Sequence, residues 1–378
     1  MPAHISLPPE ATVARFSSGG SACCGMTAMG GERTFLAPDR TVGSGFSGLR
    51  KGDTIPLVLV GLAMLRRFRN RSEDKVQRQI RAAIERHGAE LHEKVRIADL
   101  IDIAKLDRRA LGTYALQAHF DFVLLDENQE AVVAIEFDGS VHDSVNDAKK
   151  NSICQQADLP LIRVYGFEEV RDINAITLTR YLVELVFHAR IFLRMRSNGT
   201  VAWDEPFTLS GFLKPDAKNI FDSEFDFVGP SNGKLTRTLQ KRGLAVDSIP
   251  HLSIDRLVVR APDGRLRAFM SINSLKGPIL GSASLRVTLA SPGFLADLGT
   301  VWFEIAQFAE GMAADDLLQN IRLIADGHGH VVNSADEVLA ELRMLGSQGY
   351  ILVMGGGGSC TEVDLTAAFA AGRGGKLF

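Results

Sequence analysis

The chain has 378 residues, a formal net charge of −3 and a hydrophobic fraction of 46%. This length allows two domains, and the charge excludes a protein that is basic throughout, so any nucleic-acid contact must be local. The 4 cysteines are scattered and make no disulfide framework, which predicts a reduced, cytoplasmic protein.

The chain begins with two segments that lack the pattern of a folded core. Residues 1–53 are rich in Gly, Ser, Ala and Thr, which predicts a flexible leader. Residues 54–71 combine an apolar run with an arginine cluster, Arg66, Arg67, Arg69 and Arg71. The run is too short for a usual membrane span, so we expect a packed helix, with a membrane anchor as the alternative. The arginines are candidates for phosphate contacts, with a solvated helix face as the alternative.

An amphipathic helix and a β-hairpin follow these segments. The helix begins near Ser72, because the next apolar residues recur at helical spacing on one face. The hairpin joins two β-branched and aromatic runs, 119–125 and 131–139, through a polar turn.

Three carboxylates converge on this hairpin. If the turn centres near Asn128, Asp121 lies opposite Glu136, and strand alternation places Asp138 on the same face as Glu136. Such a cluster on an apolar strand pair is costly unless a cation cancels its charge. Carboxylate oxygens suit a hard divalent metal, so the hairpin is a candidate metal site.

The hairpin continues into a strand–helix–strand unit. A polar helix is predicted over 147–156 and a strand over 159–165. Such crossovers are right-handed and join parallel strands. Lys150 lies on this helix within reach of the carboxylates, and Asp147 suits the helix start because of the helix dipole.

Four motifs in this region together resemble one nuclease superfamily. They are Phe-Asp-Phe-Val, Ala-Ile-Glu-Phe-Asp-Gly-x-x-His, Asp-x-x-Lys-Asn and Leu-Pro-Leu-Ile-Arg-Val. Residues 72–170 resemble the restriction-endonuclease-like PD-(D/E)XK nucleases, in the branch near very-short-patch-repair endonucleases and related bacterial domains of unknown function. The resemblance implies a mixed sheet flanked by helices, and it makes 94–101 the first strand and its continuation.

The resemblance also implies the site residues. Mg²⁺, or alternatively Mn²⁺, is expected to bind Asp121, Glu136 and the carbonyl of Phe137. The catalytic set implied by the resemblance is Glu73, Asp121, Glu136, Asp138, His142 and Lys150.

Three members of this set have open alternatives. Asp74 and Glu85 compete with Glu73 for the acidic position on the first helix. Asp138 stands where the superfamily usually has lysine, so Lys150 is expected to replace that lysine, with Lys149 as its rival. His142 either orients water or fixes its loop through a carboxylate.

The rest of the chain shows a second pattern of elements. A long helix over 173–196 is expected to pack on the first sheet, and a polar break at 197–200 ends the first domain. In the second half, the predicted elements are a hairpin over 253–272, helices over 294–325 and 335–345, and a short buried strand over 350–354. We interpret the glycines 355–358 as a turn or linker rather than a phosphate loop, and His328 and His330 as part of a turn rather than a metal site.

The sequence therefore predicts an α/β protein with a restriction-endonuclease-like core at 72–196 and a second mixed α/β domain at 201–378. The expected function is metal-dependent endonucleolytic hydrolysis of phosphodiester bonds, with DNA as the expected substrate, in defence, restriction or repair. Nucleic acid is the expected partner, and a homo-oligomer is a further expectation. The alternatives are an inactive nuclease fold that binds nucleic acid or protein, and a membrane-associated scaffold using 55–71.

Overall fold

The structure is a computed structural model that describes most of the chain after the leader. The described residues are 71–138, 144–165, 172–214, 216–219, 222–246, 254–290, 293–328, 334–357 and 363–375. The predicted leader, the apolar and basic segment before Arg71, His142 and His330 lie outside them. Ser72–Phe378 belong to one compact unit. Within the described ranges, no helix combines the length and apolar character needed to cross a bilayer.

Helices and strands alternate along the described chain. The helices are α1 (Arg71–His87), α2 (Ile97–Leu100), α3 (Arg109–Ala115), α4 (Ser144–Gln156), α5 (Leu178–Ser197), α6 (Val228–Lys241), α7 (Val301–Ala325), α8 (Ala335–Ser347) and α9 (Leu365–Gly372). The strands are β1 (Glu90–Arg96), β2 (His119–Leu125), β3 (Ala131–Asp138), β4 (Leu161–Tyr165), β5 (Asp172–Ile173), β6 (Ile176–Thr177), β7 (Ile254–Arg260), β8 (Arg265–Ile272), β9 (Ile279–Arg286), β10 (Thr288–Ala290) and β11 (Ile351–Gly357).

The first sheet is mixed, as predicted, with the order β1-β2-β3-β4-β10. β1, β2 and β3 are antiparallel neighbours, whereas β3 and β4 are parallel and flank the crossover helix α4. Phe122 pairs with Ile135, which confirms the predicted hairpin register and places Asp121 next to Glu136. A register shift follows between Leu124 and Leu125 at the turn.

The first strand ends earlier than predicted. β1 stops at Arg96 and the chain turns into α2, so the expected continuation to Ile101 is wrong. Ile97 is fully buried, and its N–H donates to the carbonyl of Ala118 at 3.0 Å. The strand therefore ends where Ile97 anchors the chain in the core beneath the sheet.

The long helix α5 packs on this sheet, but it begins later than predicted. Asn174 and Ala175 have φ values of 54° and 66°, so they form a tight turn between β5 and β6 rather than a helix. Thr177 then accepts a hydrogen bond from the N–H of Arg180 and caps the helix. Tyr181 and Leu185 are fully buried, as the predicted apolar face requires.

The second sheet is antiparallel, with the order β11-β7-β8-β9. The predicted hairpin is confirmed as β7 and β8, and the helix predicted over 335–345 as α8. The helix predicted over 294–325 begins later, because α7 starts at Val301 after a short 3-10 helix, Gly293–Leu298. α7 packs so closely on β9 that the position of Gly281 requires glycine. A Cβ added there would lie 2.4 Å from the backbone nitrogen of Leu317.

One expectation about the last strand is wrong. β11 lies at the edge of the second sheet rather than buried in it, and Ile351 is 42% exposed. The strand extends through Gly357, because Gly355 to Gly357 pair with β7 and continue its ladder. The glycines predicted to form a turn are therefore strand residues as far as the description reaches.

The two halves of the chain share structure. β10 comes from the second half and pairs antiparallel with β4 in the first sheet. A single hydrophobic core contains Ile80 and Phe122 from the first half and Leu285 and Ile305 from the second. The domain boundary expected after α5 remains a prediction, and the first sheet and this core both extend across it.

Candidate functional site

The β2–β3 hairpin and α4 bring three of the predicted site residues together. Asp121 lies on β2, and its Oδ2 accepts a hydrogen bond of 2.8 Å from the backbone N–H of Phe137. Glu136 lies on β3, and its Oε2 accepts a hydrogen bond of 2.5 Å from Lys150 Nζ. Lys150 also donates to the carbonyl of His119 at 2.9 Å, which holds its ammonium over the hairpin.

Lys150, and not its rival Lys149, reaches the carboxylates. Successive residues on a helix point about 100° apart, so only one of the two lysines can face the sheet. Lys149 Nζ donates to Asn146 Oδ1 at 3.2 Å and lies 5.0 Å from the centre of the Tyr114 ring. Of these two lysines, Lys150 is therefore the one that contacts a carboxylate of the hairpin.

Glu136 is buried and incompletely paired. Burial raises the pKa of Glu136 to about 7, with repulsion from Asp121 adding to it, although the ammonium of Lys150 acts in the opposite direction. Its Oε1 is buried and has no hydrogen-bond partner among the described residues. A buried carboxylate oxygen without a partner is expensive, and a cation is one of the groups that removes this cost.

Lys94 is a neighbour of the site that the sequence did not predict. Its Nζ lies 2.5 Å from Asp121 Oδ1, so both oxygens of Asp121 accept hydrogen bonds. Lys94 has a φ of 53°, which is rare for a non-glycine residue inside a strand. The pairing of Glu93 with Phe122 and of Val95 with Phe120 places it opposite Asp121. The contact between Lys94 and Asp121 depends on the pairing of β1 with β2, which the sequence did not specify.

Arg163 fixes α4 against the sheet. It pairs with Glu136 across the parallel strands, and only 3% of the residue is exposed. Its guanidinium donates to Asp147 Oδ1 at 2.8 Å and to Asn151 Oδ1 at 3.0 Å. Asp147 lies in the first turn of α4, as predicted, and its contact with Arg163 orients the helix that carries Lys150.

The remaining predicted site residues stay predictions. Glu73 lies in α1 and Asp138 ends β3, but the described part of the structure does not include their side chains. His142 lies outside the described residues. In the second half, Asp326 Oδ1 accepts a hydrogen bond of 2.7 Å from Arg242, so it belongs to an ion pair near the expected turn at His328.

The donor set of the hairpin fits a hard divalent cation. Asp121 and Glu136 provide carboxylate oxygens from adjacent strands, and the unpartnered Oε1 of Glu136 offers a lone pair. Mg²⁺ prefers oxygen ligands and keeps several waters, so a site with few protein carboxylates suits it. Binding through Asp121 Oδ1 requires that Lys94 move away from this oxygen.

Comparisons with known proteins add one match. A family model described as "Protein of unknown function (DUF2726)" matches residues 66–176. The matched stretch runs from α1 through β5 and includes Asp121, Glu136 and Lys150. No curated protein and no solved structure matches the chain.

Proposed function

We propose that the protein is a metal-dependent endonuclease that hydrolyses phosphodiester bonds, with DNA as its substrate. The observation that carries the proposal is the contact of Lys150 with Glu136 beside Asp121, where a parallel crossover follows the hairpin. Two carboxylates and a lysine on these elements are what the resemblance to PD-(D/E)XK nucleases implies. The site geometry supports this function.

Asp121 and Glu136 would hold Mg²⁺ or Mn²⁺, with the carbonyl of Phe137 as the further ligand that the resemblance implies. The chemistry that such an ion supplies is Lewis acidity toward the phosphate and a lowered pKa of bound water. Lys150 stabilises negative charge that develops on the phosphate, because its ammonium is held at the carboxylates by His119 and Glu136. Arg163 keeps α4, and with it Lys150, in place.

The test is cleavage of supercoiled plasmid and single-stranded DNA by the full chain with Mg²⁺ or Mn²⁺. We expect metal-dependent cutting by the wild type, and a loss of about 100-fold or more in Asp121→Asn and in Glu136→Gln. Glu127→Gln, the same change at an exposed position in the turn of the same hairpin, is the control and should cut like the wild type. Equal cutting by Glu136→Gln and Glu127→Gln would overturn the proposal.

A second candidate function is binding of nucleic acid or protein without cleavage. The observation that favours it is Lys94, whose ammonium occupies an oxygen of Asp121 that a metal would need. DNA binding by the wild type with no cutting under any of the metal conditions would support this candidate. In either case we place the protein in a reducing cytoplasm, which suits the free, buried thiol of Cys154.

A further inference from the structure

A second group of metal-binding side chains lies between α1 and α5. His87 is the last residue of α1, whereas Glu184 and His188 lie one turn apart on α5. His87 Nε2 is 2.8 Å from Glu184 Oε2, and His188 Nδ1 is 3.5 Å from the same oxygen. One potential ligand atom from each of the three residues lies within 4.8 Å of the others. None of these residues belongs to the Asp121–Glu136 site.

The cluster is largely buried and closely packed. Glu184 is fully buried, and His188 is 7% exposed. The ring of His87 stacks on Phe187 with centroids 4.4 Å apart, and the ring of His188 lies 4.5 Å from that of Phe212. Aromatic walls of this kind hold imidazole rings in fixed orientations, which a metal site requires.

Glu184 Oε1 and the imidazole of His188 each offer a lone pair to a ligand. Glu184 Oε1 is buried without a hydrogen-bond partner among the described residues. The imidazole of His188 is buried beside this carboxylate. His188 Nδ1 also lies 2.8 Å from the carbonyl of Glu184. An N–H at Nδ1 donates to this carbonyl and leaves the Nε2 lone pair as the ligand atom of His188, the arrangement that metal-binding histidines commonly adopt. The 3.5 Å contact of Nδ1 with Glu184 Oε2 is then not a metal-binding contact.

Two arginines border the cluster and oppose a cation there. Arg86 and Arg180 approach Glu184 Oε1 at 3.8 Å and 3.9 Å. Both form shorter contacts with Glu224, at 2.6 Å and 3.2 Å, so this second carboxylate shares their charge. The formal charges of the two arginines and two glutamates then balance, and the imidazoles provide nitrogen donors.

We propose that His87, Glu184 and His188 form a binding site for a divalent transition metal of the zinc class. Two imidazoles and one carboxylate are a ligand set that Zn²⁺ uses in proteins, and water or the second carboxylate oxygen completes the coordination. The imidazole donors select against Mg²⁺, which prefers oxygen. Bound metal would tie the end of α1 to the middle of α5 and stabilise the fold.

The test measures Zn²⁺ binding to the full chain after chelation and dialysis. The parent is the Asp121→Asn/Glu136→Gln variant, which removes the carboxylate site and so separates this proposal from the proposed nuclease function. We expect the parent to bind Zn²⁺, and addition of His87→Gln to remove about one equivalent or to weaken its binding more than about 100-fold. His87→Gln is suitable because a glutamine amide can keep a hydrogen bond to Glu184.

The control is His92→Gln, the same change at an exposed histidine on β1, which should leave Zn²⁺ binding unchanged. Equal Zn²⁺ binding by the parent with and without His87→Gln, or no binding by the parent, would overturn the proposal.

A spectroscopic measurement does not depend on the fold of the His87→Gln variant. Co²⁺ bound to the parent should give the intense visible absorption of a low-coordinate ion with nitrogen ligands. The weak bands of an octahedral, oxygen-only site would contradict the proposal. Zn²⁺ should also raise the thermal midpoint of the parent, and a midpoint that Zn²⁺ does not change would count against a stabilising metal.

Discussion

The position of Glu136 suits the binding of a cation better than it suits the stability of the folded protein. Its carboxylate is buried, one of its oxygens has no partner among the described residues, and Lys150 compensates its charge only in part. Burial therefore favours the protonated form in the folded protein, whereas the unfolded chain ionises at the usual pKa of glutamate. A cation at this site would remove the conflict, which is common where a fold supports function rather than its own stability.

The pH dependence of stability should reveal this conflict. The pKa of Glu136 is raised from 4.5 to about 7 in the folded protein. The contribution of Glu136 to the stability of the fold is therefore fully present below pH 4.5 and is lost as the pH rises to about 7. Glu136→Gln keeps a hydrogen-bond acceptor for Lys150 and does not ionise. In urea unfolding without metal, we expect the free energy of unfolding of this variant to exceed that of the wild type by up to about 3 kcal/mol at pH 8. At pH 4.5 we expect a much smaller difference. A constant difference across this pH range would contradict the prediction.

Two adjacent lysines provide a matched pair for the catalytic step. Lys150→Met removes the ammonium that contacts Glu136, while Lys149→Met removes one that contacts Asn146 and Tyr114. We expect Lys150→Met to lower the rate of DNA cleavage about 100-fold or more, and Lys149→Met to change it less than about threefold. Single-turnover cleavage with excess enzyme measures both. Similar rates for the two variants would remove Lys150 from its proposed role.

At the scale of elements, β1 places the ammonium of Lys94 at the site, and the backbone of Lys94 is strained there. Lys94 reaches Asp121 from a strand position with a φ of 53°, a conformation that costs an L-residue about 1 kcal/mol. The strand tolerates it because the pairs on either side of Lys94 are intact. The strained residue is therefore also the one that would compete with the proposed metal for Asp121.

Two substitutions at Lys94 separate strain from charge. Lys94→Gly and Lys94→Met both remove the ammonium, but only glycine adopts a positive φ without strain. We expect both variants to bind Mn²⁺ about threefold to tenfold more tightly than the wild type, because Asp121 is released. The glycine variant should be about 1 kcal/mol more stable than the methionine variant. Calorimetric Mn²⁺ titration and urea unfolding provide the two readouts, and unchanged Mn²⁺ affinity in both would refute the competition.

The sequence predicted the elements that local patterns specify. The hairpin register follows from alternating apolar residues and a short turn, and it places Asp121 beside Glu136. The contacts of Lys94 and Arg163 were missed because they depend on which strand lies next to which. The early end of β1 was missed for a related reason, since Ile97 fits a strand equally well until its burial beneath the sheet is known.

At the scale of the whole molecule, elements of the two halves pair and pack with each other. β10 completes the first sheet, and the hydroxyl of Tyr181 on α5 donates to the carbonyl of Glu304 on α7 at 2.9 Å. Glu304 is itself buried and accepts a hydrogen bond from the N–H of Leu209 at 3.0 Å. No local pattern in the sequence indicates that a strand of three residues crosses the predicted boundary.

The predicted first domain should therefore not be stable alone. A fragment over 72–196 loses β10 and exposes the face of α5 that packs on the second half. We expect it to show no cooperative thermal transition, whereas a fragment over 72–378 should unfold cooperatively. Far-UV circular dichroism on heating and hydrogen exchange at β4 measure this. Cooperative unfolding of the shorter fragment would support the two-domain interpretation.

The pairing of β10 with β4 also has a consequence for synthesis of the protein. The ribosome completes β4 long before it reaches Ala290, so the backbone of Leu161 to Arg163 lacks its partner strand while residues 166–287 are made. An unpaired apolar strand edge is a site where nascent chains associate with one another. This protein should therefore depend on chaperones during translation more than its finished sheet suggests. Slower elongation at low temperature would prolong that vulnerable interval.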